Sequence, residues 1–283
     1  MCQHSLQDQI IHALSSDALQ LPAFPAVAMK LQQALSSPNA KIADLETLII
    51  NDQALSSQIL RVANSSFYQG LQRVVSIRKA IIRLGARQVA SLALSIAQRS
   101  LYVTRSALLG RYMERLWRHA FVSATGCQWL ASHCGHKQGA DAAYMAGLLH
   151  DIGQLVILRV MDDLCAGQNS GDRDLPEALL IEVLESSMHN AQGCVLMRRW
   201  NLPEDYFIVA RDHHREPCDP NQTLLLIVRL IDQVCAKMGI GLSNDPQIDL
   251  AATPEAQVLG VGEIHLAQLE ILLEDSMAMA DQM

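Results

Sequence analysis

Apolar positions recur along this chain at three- and four-residue intervals, the spacing of a helix with one buried face. Pro22 and Pro25 open a helix over Ala26 to Leu35, since proline is tolerated in a first turn, and Ser36-Ser37-Pro38-Asn39 closes it. A second helix spans Ile42 to Ile50. Asn51 or Asp52 caps a third, in which Leu55, Ile59, Leu60 and Ala63 share one face, and Asn64-Ser65-Ser66 ends it. Ser76 caps a fourth with the stripe Ile77, Ala80, Ile81 and Leu84, and Gly85 stands where a C-terminal cap belongs. A fifth runs from Arg87 to about Leu101.

A second group begins near Ser106 with a long helix that turns Met113, Leu116, Trp117, Ala120 and Ala124 inward. Gly135 to Gly139 breaks it. The pattern then predicts a helix from Ala140 to about Leu158, a polar loop over Gly167 to Asp174, and helices near Pro176 to Trp200, Pro203 to His214 and Gln222 to Met238. From Gly241 the chain reads as a loop containing Asp245-Pro246 and Thr253-Pro254, followed by an amphipathic segment through Leu273. These breaks divide the chain into an N-terminal helical lobe (1–105), a second lobe (106–240) and a C-terminal loop and helix (241–283). The connection from Leu101 to Ser106 is short and holds no Gly or Pro, so the two lobes are expected to pack tightly together.

Composition agrees with an all-α class, because half of the 283 residues are apolar but only 4% aromatic. A net charge of -7 and a pI of about 5.8 offer no cationic surface for a phosphate backbone, so no direct nucleic-acid partner is expected. The seven cysteines are odd in number and never spaced as a C-x-x-C pair, as reduced thiols in a cytoplasm would be. No signal-like start and no membrane-length apolar run occurs, so neither secretion nor membrane spanning is expected.

The chemistry lies in a dispersed set: His119, the pair His150-Asp151, His189, the pair His213-His214, and Asp232. Each falls on or at the end of a predicted helix of the second lobe. Imidazole and carboxylate suit Zn, Mn or Fe, and donors from several helices facing one bundle core are an established way to hold such ions. An adjacent His-Asp pair can serve two metals, the carboxylate bridging them, which places Asp151 in a catalytic role if a water is to be activated against a phosphorus. Taken singly, each histidine is more simply a capping or surface group. Asp232 is harder to dismiss, because it follows the almost wholly apolar run Leu224 to Ile231 and needs a partner. The group His133-Cys134-Gly135-His136 lacks a matching second pair and reads as a turn. Arg78, Lys79, Arg83 and Arg87 read as a solvated face.

The segment AAYMAGLLHDIGQLVIL resembles the HD-superfamily motif, and the order His119, His150-Asp151, Asp232 resembles that superfamily's H, HD, D pattern. LPAFPAVAMKLQQALSSPNAKIADLETLIINDQALSSQILRVANSSFY and SIRKAIIRLGARQVASLAL are similar to the N-terminal lobe of HDOD domains, and MRRWNLPEDYFIVARDHHREP resembles the segment that follows the HD pair there. The resemblance covers Leu19 to Met238. It implies an all-helical fold, a helical lobe packed on an HD-like one, and a regulatory or protein-interaction role in bacterial signalling, with a protein partner. His189 and His213-His214 stand where the HD-GYP cyclic-dinucleotide phosphodiesterases place extra ligands. The resemblance therefore implies His119, His150, Asp151, His189, His213, His214 and Asp232 as ligands of one or two divalent metals.

Two departures bear on activity. Gln154 replaces the lysine of HDIGK, removing a cation that would neutralise a substrate phosphate, and REPCDP follows His213-His214 in place of a glycine-rich GYP loop. Glu185 shares a helix face with His189 and reads as a surface acid, with a metal ligand or a group that orients one as the alternatives. The expected function is signalling through a protein contact; a metal-dependent phosphohydrolase acting on a small phosphoester is the alternative, and a metal-free helical scaffold follows only if the seven donors do not converge.

Overall fold

The computed structural model describes residues 6–16, 21–36, 42–65, 68, 72–167 and 176–283. Every regular element among them is helical, and the all-α expectation holds. The predicted turn at 36–39 and the polar loop after Gly167 fall almost wholly outside the described residues.

The N-terminal group comprises α1 (Leu6–Leu14), α2 (Ala26–Ser36), α3 (Ile42–Ile50), α4 (Gln53–Ala63), α5 (Ile77–Leu84) and α6 (Ala86–Arg99). The predicted caps are in place. Asp52 accepts from the Leu55 amide at 3.0 Å, and Ser76 accepts from that of Lys79 at 3.3 Å, each satisfying a first-turn donor that has no helical partner. Gly85, at φ +88°, ends α5 and lets α6 start at once in a new direction. Sequence periodicity passed over α1, which packs on a helix of the other lobe.

The second group is built on α7 (Ala107–His133), whose first turn is capped by Ser106. Leu109, Met113, Trp117 and Phe121 of α7 are fully buried, each contributing about 1.5–3 kcal/mol of burial free energy. Against α7 pack α8 (Ala140–Leu149), α9 (Ile152–Gly167) and α13 (Thr223–Met238), and α10 (Glu177–Glu185), α11 (Met188–Arg199) and α12 (Glu204–Asp212) pack on these in turn. Two predicted helices are each split in two. The expected helix from Ala140 breaks at His150-Asp151, and the one from Pro176 breaks at Ser186-Ser187. Both breaks sit beside the candidate donors, where local periodicity gave no sign of a change in direction.

The C-terminal segment holds α14 (Pro254–Leu259) and α15 (Glu263–Ala280), the latter longer than the periodic stretch ending at Leu273. Leu266, Leu269 and Leu273 are buried as α15 packs along α7. The contact is close because Gly126 lacks a side chain: a Cβ there would lie 2.8 Å from Leu273. No single helix among the described residues is long and apolar enough to cross a membrane.

The first helices are fastened to the later ones by polar and aromatic contacts. Trp200 donates its indole N–H to the Pro22 carbonyl at 2.9 Å and stacks, tilted, on Phe24 with ring centres 4.8 Å apart. Arg159 donates to the Leu101 carbonyl at 2.6 Å, and Thr104 to Asp162 at 2.6 Å. The basic stretch also braces the fold. Arg78 pairs with Glu46, Arg87 with Asp141, and Arg83 donates to the carbonyls of Ala63 and Gln72.

Candidate metal centre

Five elements carry the seven candidate donors. His119 projects from α7, His150-Asp151 occupies the corner between α8 and α9, His189 lies in the first turn of α11, His213-His214 follows α12, and Asp232 lies in α13. Two glycines flanking the His-Asp pair make the convergence possible. A Cβ on Gly147 would lie 2.8 Å from both Cys127 Sγ and the Ser123 carbonyl of α7. One on Gly153 would fall 1.8 Å from the His189 carbonyl oxygen, so α9 and α11 touch backbone to backbone. Only residues without side chains allow the donor-bearing helices to approach this closely.

Asp151 stands between two groups. Its Oδ2 lies 3.6 Å from Nε2 of His119 and 3.6 Å from Nε2 of His150. Its Oδ1 lies 3.5 Å from Nε2 of His189 and 3.2 Å from Nε2 of His213. Asp232 Oδ1 is 3.5 Å from His119 Nε2 and 3.9 Å from His150 Nε2, while its Oδ2 is 4.0 Å from Nδ1 of His214. Donor atoms of His119, His150 and Asp151, and separately those of Asp151, His189, His213 and His214, lie within 4.8 Å of one another. All but His214 and the partly covered Asp232 are buried.

The hydrogen bonds behind the imidazoles decide their tautomers. Nδ1 of His119 faces the Ile240 carbonyl at 3.1 Å, that of His150 the Gly147 carbonyl at 2.8 Å, and that of His189 the Ser186 carbonyl at 2.7 Å. Nδ1 of His213 lies 3.0 Å from the Ala210 carbonyl. A carbonyl only accepts, so each Nδ1 carries a proton and each Nε2 is the ring atom turned to the centre, the arrangement that outer partners impose on ligating histidines. The Nε2 atoms of His119 and His150 face each other at 3.1 Å. Nε2 of His189 is buried without a hydrogen-bond partner. Imidazole nitrogens and carboxylate oxygens converging on one buried point are the donor set of a divalent cation, so the residues fit a metal.

The electrostatics point the same way. Burial, aided by the neighbouring His119 and His213, pushes His150 down to about 4 and keeps it in the neutral form a metal requires. Burial works against ionisation of Asp151, but His150, His213 and His189 outweigh it and hold the carboxyl well below its ordinary range. At His119 burial disfavours the charged ring, yet Cys235, Asp232 and Asp151 together raise it to about 10. Positive charge is thus drawn to this point even as a single proton, which an entering metal would displace.

Five of the candidate donors, His119, Asp151, His189, His214 and Asp232, line a cavity of about 520 Å³ whose walls also include Gln154, Glu185, Asn190, Ser243, Asn244 and Asp245. Lysine and arginine are absent from its lining among the described residues. Gln154 is buried and donates to Asp151 Oδ2 at 3.2 Å, so the side chain replacing the family's lysine steadies the central carboxylate. Glu185 is exposed at the rim. The His133 turn lies elsewhere, with His133 bonded to the Trp129 carbonyl at 2.8 Å and stacked on that ring.

Sequence reasoning missed the groups that hold the donors in place. Gly241, at φ +114°, passes so close to His119 that a Cβ would lie 2.8 Å from its Nδ1. Arg229, buried within the apolar stretch of α13, donates to the carbonyls of His213 and Arg215 at 3.0 and 2.9 Å. A charge inside the run LLLIVRLID demanded a partner and was the available signal.

Comparison with known proteins places the fold. A curated relative, an uncharacterized protein of Treponema pallidum (strain Nichols), is 28% identical over 210 residues, which are 73% of this chain and 40% of that protein. The chain thus spans about two fifths of that relative's length. An HDOD domain protein of unknown function from Geobacter sulfurreducens superposes with a TM-score of 0.76 at 22% identity, covering 97% of this chain and 98% of that one. A provisionally named metal-dependent phosphohydrolase from Shewanella amazonensis SB2B gives 0.70 at 20% identity, covering 96% and 98%. A provisionally named signal transduction protein from Marinobacter aquaeolei VT8 gives 0.69 at 24% identity, covering 98% of this chain and 65% of its own. At these identities the superpositions speak to fold alone. The model of the HDOD domain matches residues 21–216, more than two thirds of the sequence, and the chain belongs to the HDOD family.

Proposed function

We propose that this protein is an HDOD regulator of bacterial signalling that holds divalent metal in its HD-like lobe and acts by contact with a protein partner. His119, His150 and Asp232 would hold one ion and His189, His213 and His214 another, with Asp151 placed between the two groups. The observation that carries this reading is the contrast within one cavity: His119, Asp151, His189, His214 and Asp232 line it, with His150 and His213 beside Asp151, while no lysine or arginine lines it among the described residues. Efficient phosphoester turnover needs side chains that hold the remaining phosphates and fix the reacting atoms in line. Here the lining offers Glu185 and Asp245 instead, which repel a polyanion.

A second reading, a metal-dependent phosphohydrolase, draws support from Asp151, whose two oxygens face separate donor groups as a bridging carboxylate's would. A bound divalent cation would supply Lewis-acid chemistry and acidify a water. In that case Asp151 and Gln154 orient the centre, and the open cavity admits a small phosphodiester but lacks groups to grip a dinucleotide.

Elemental analysis of freshly purified full-length protein tests the first part, with one or two equivalents of Zn, Mn or Fe expected and none overturning it. Assay with added Mn or Fe tests the second. Slow cleavage of activated phosphodiesters and little or none of cyclic di-GMP are expected. Fast metal-dependent cleavage of cyclic di-GMP, abolished by His150→Ala, would put the enzyme reading first.

A further inference from the structure

The half of the centre formed by His213 and His214 sits on backbone that no helix supports, since α12 ends at Asp212 and α13 begins only at Thr223. Within that stretch the carbonyls of His213 and Arg215 bracket His214. Both point to one guanidinium, Nη1 of Arg229, at 3.0 and 2.9 Å. Arg229 lies one helical turn before Asp232 and is 6% exposed. Its Nε donates to Glu255 Oε1 at 2.6 Å, and its Nη2 donates to Glu216. Glu255 is 1% exposed and takes a second bond from Gln233 at 3.1 Å. It belongs to α14, outside the residues 21–216 that match the family.

We infer that Arg229, anchored by Glu255, is a positioning residue for the metal position formed by His189, His213 and His214, so that the C-terminal segment sets occupancy of that position. The inference rests on the metal-site reading above. A planar guanidinium can hold two carbonyls and a carboxylate at once because its donors diverge in a fixed fork, and a lysine ammonium cannot reproduce that pattern. Removing the fork leaves the His213 carbonyl buried without this donor and frees the segment to shift. Outer partners of this kind change metal affinity by about tenfold to a hundredfold. His119 and His150, which are set by Ile240 and Gly147, are left in place.

The test uses the full chain and Co2+, followed by absorption and calorimetry, in the wild type, Arg229→Lys, Glu255→Gln and Glu216→Ala. The wild type is expected to take two ions. Arg229→Lys keeps the charge beside Glu255, so the metal-free variant should unfold near the wild-type temperature while binding one of the two ions about tenfold to a hundredfold more weakly. Glu255→Gln should weaken the same ion, and it carries the test if Arg229→Lys does not fold. Glu216→Ala, at an exposed position, should bind both as the wild type does. Wild-type affinity for both ions in Arg229→Lys and Glu255→Gln overturns the inference and leaves the metal reading standing. A wild type that takes a single ion and keeps it in His214→Ala overturns it too. No Co2+ binding by the wild type removes the metal reading and the inference together.

Discussion

Asp151 turns one carboxylate oxygen toward each group of imidazoles, which makes it the residue whose loss reaches both. Asp151→Ala is expected to lose metal from both positions while helical circular dichroism is unchanged, since the corner also rests on Gly147, Gly153 and buried apolar neighbours. Full metal content in that variant would mean that the donors are wrongly assigned. Gly153 offers a prediction about packing. A methyl there meets the His189 carbonyl at 1.8 Å, backbone against backbone, and no rotamer change relieves it. Gly153→Ala should cost about 4 kcal/mol or more, in the range reserved for steric failure of a core. Denaturant unfolding measures this, and a midpoint equal to that of the wild type would contradict the contact. Both glycines flanking the His-Asp pair stand in plain view in AAYMAGLLHDIG, but their reason does not. A glycine in a helix reads as a weakness until the neighbouring helix is placed against it.

At the scale of elements, the helices found by periodicity include those with one buried face and a polar cap, such as α4 behind Asp52 and α5 behind Ser76. The breaks at His150-Asp151 and Ser186-Ser187 escaped because the residues on both sides remain compatible with a helix. Packing, not propensity, turns the chain there. The same packing joins the lobes. Trp200 on Pro22 and Phe24, Arg159 on Leu101, and α1 against α9 span the junction around the 101–106 connection. Limited proteolysis is therefore expected to leave this connection uncut under native conditions. Release of two stable halves at that point would show that these contacts do not hold the lobes together.

At the scale of the whole molecule, the buried imidazoles and carboxylates make the metal-free protein sensitive to pH on both sides of neutrality. His150 is lowered to about 4 from an unfolded value of about 6.5, so the folded state resists its protonation and stability is lost as pH falls through that interval. Asp151, held low, adds a further loss once pH drops below the ordinary carboxylate range. His119 is raised to about 10, so its contribution is present below about pH 6.5 and is lost as pH climbs toward 10. The melting temperature of chelator-treated protein should peak near neutrality and fall in both directions. A melting temperature that stays level from pH 7 down to pH 4 would contradict the burial of His150 as a neutral ring.

By itself the sequence determined the helical class and the positions of most helices, because helix period and caps are local, and it offered the seven candidate donors through their resemblance to the HD pattern. Tertiary structure alone decided how those donors divide, with His119 and His150 on one oxygen of Asp151 and His189 and His213 on the other. It also decided which groups stand behind them: the Ile240 carbonyl and Gly241 at His119, Gln154 at Asp151, and the Arg229–Glu255 pair at His213. These contacts join residues far apart in the chain, and their geometry depends on how closely and at what angle helices cross. That is fixed by the shapes of both partners at once, and no stretch of sequence encodes it alone.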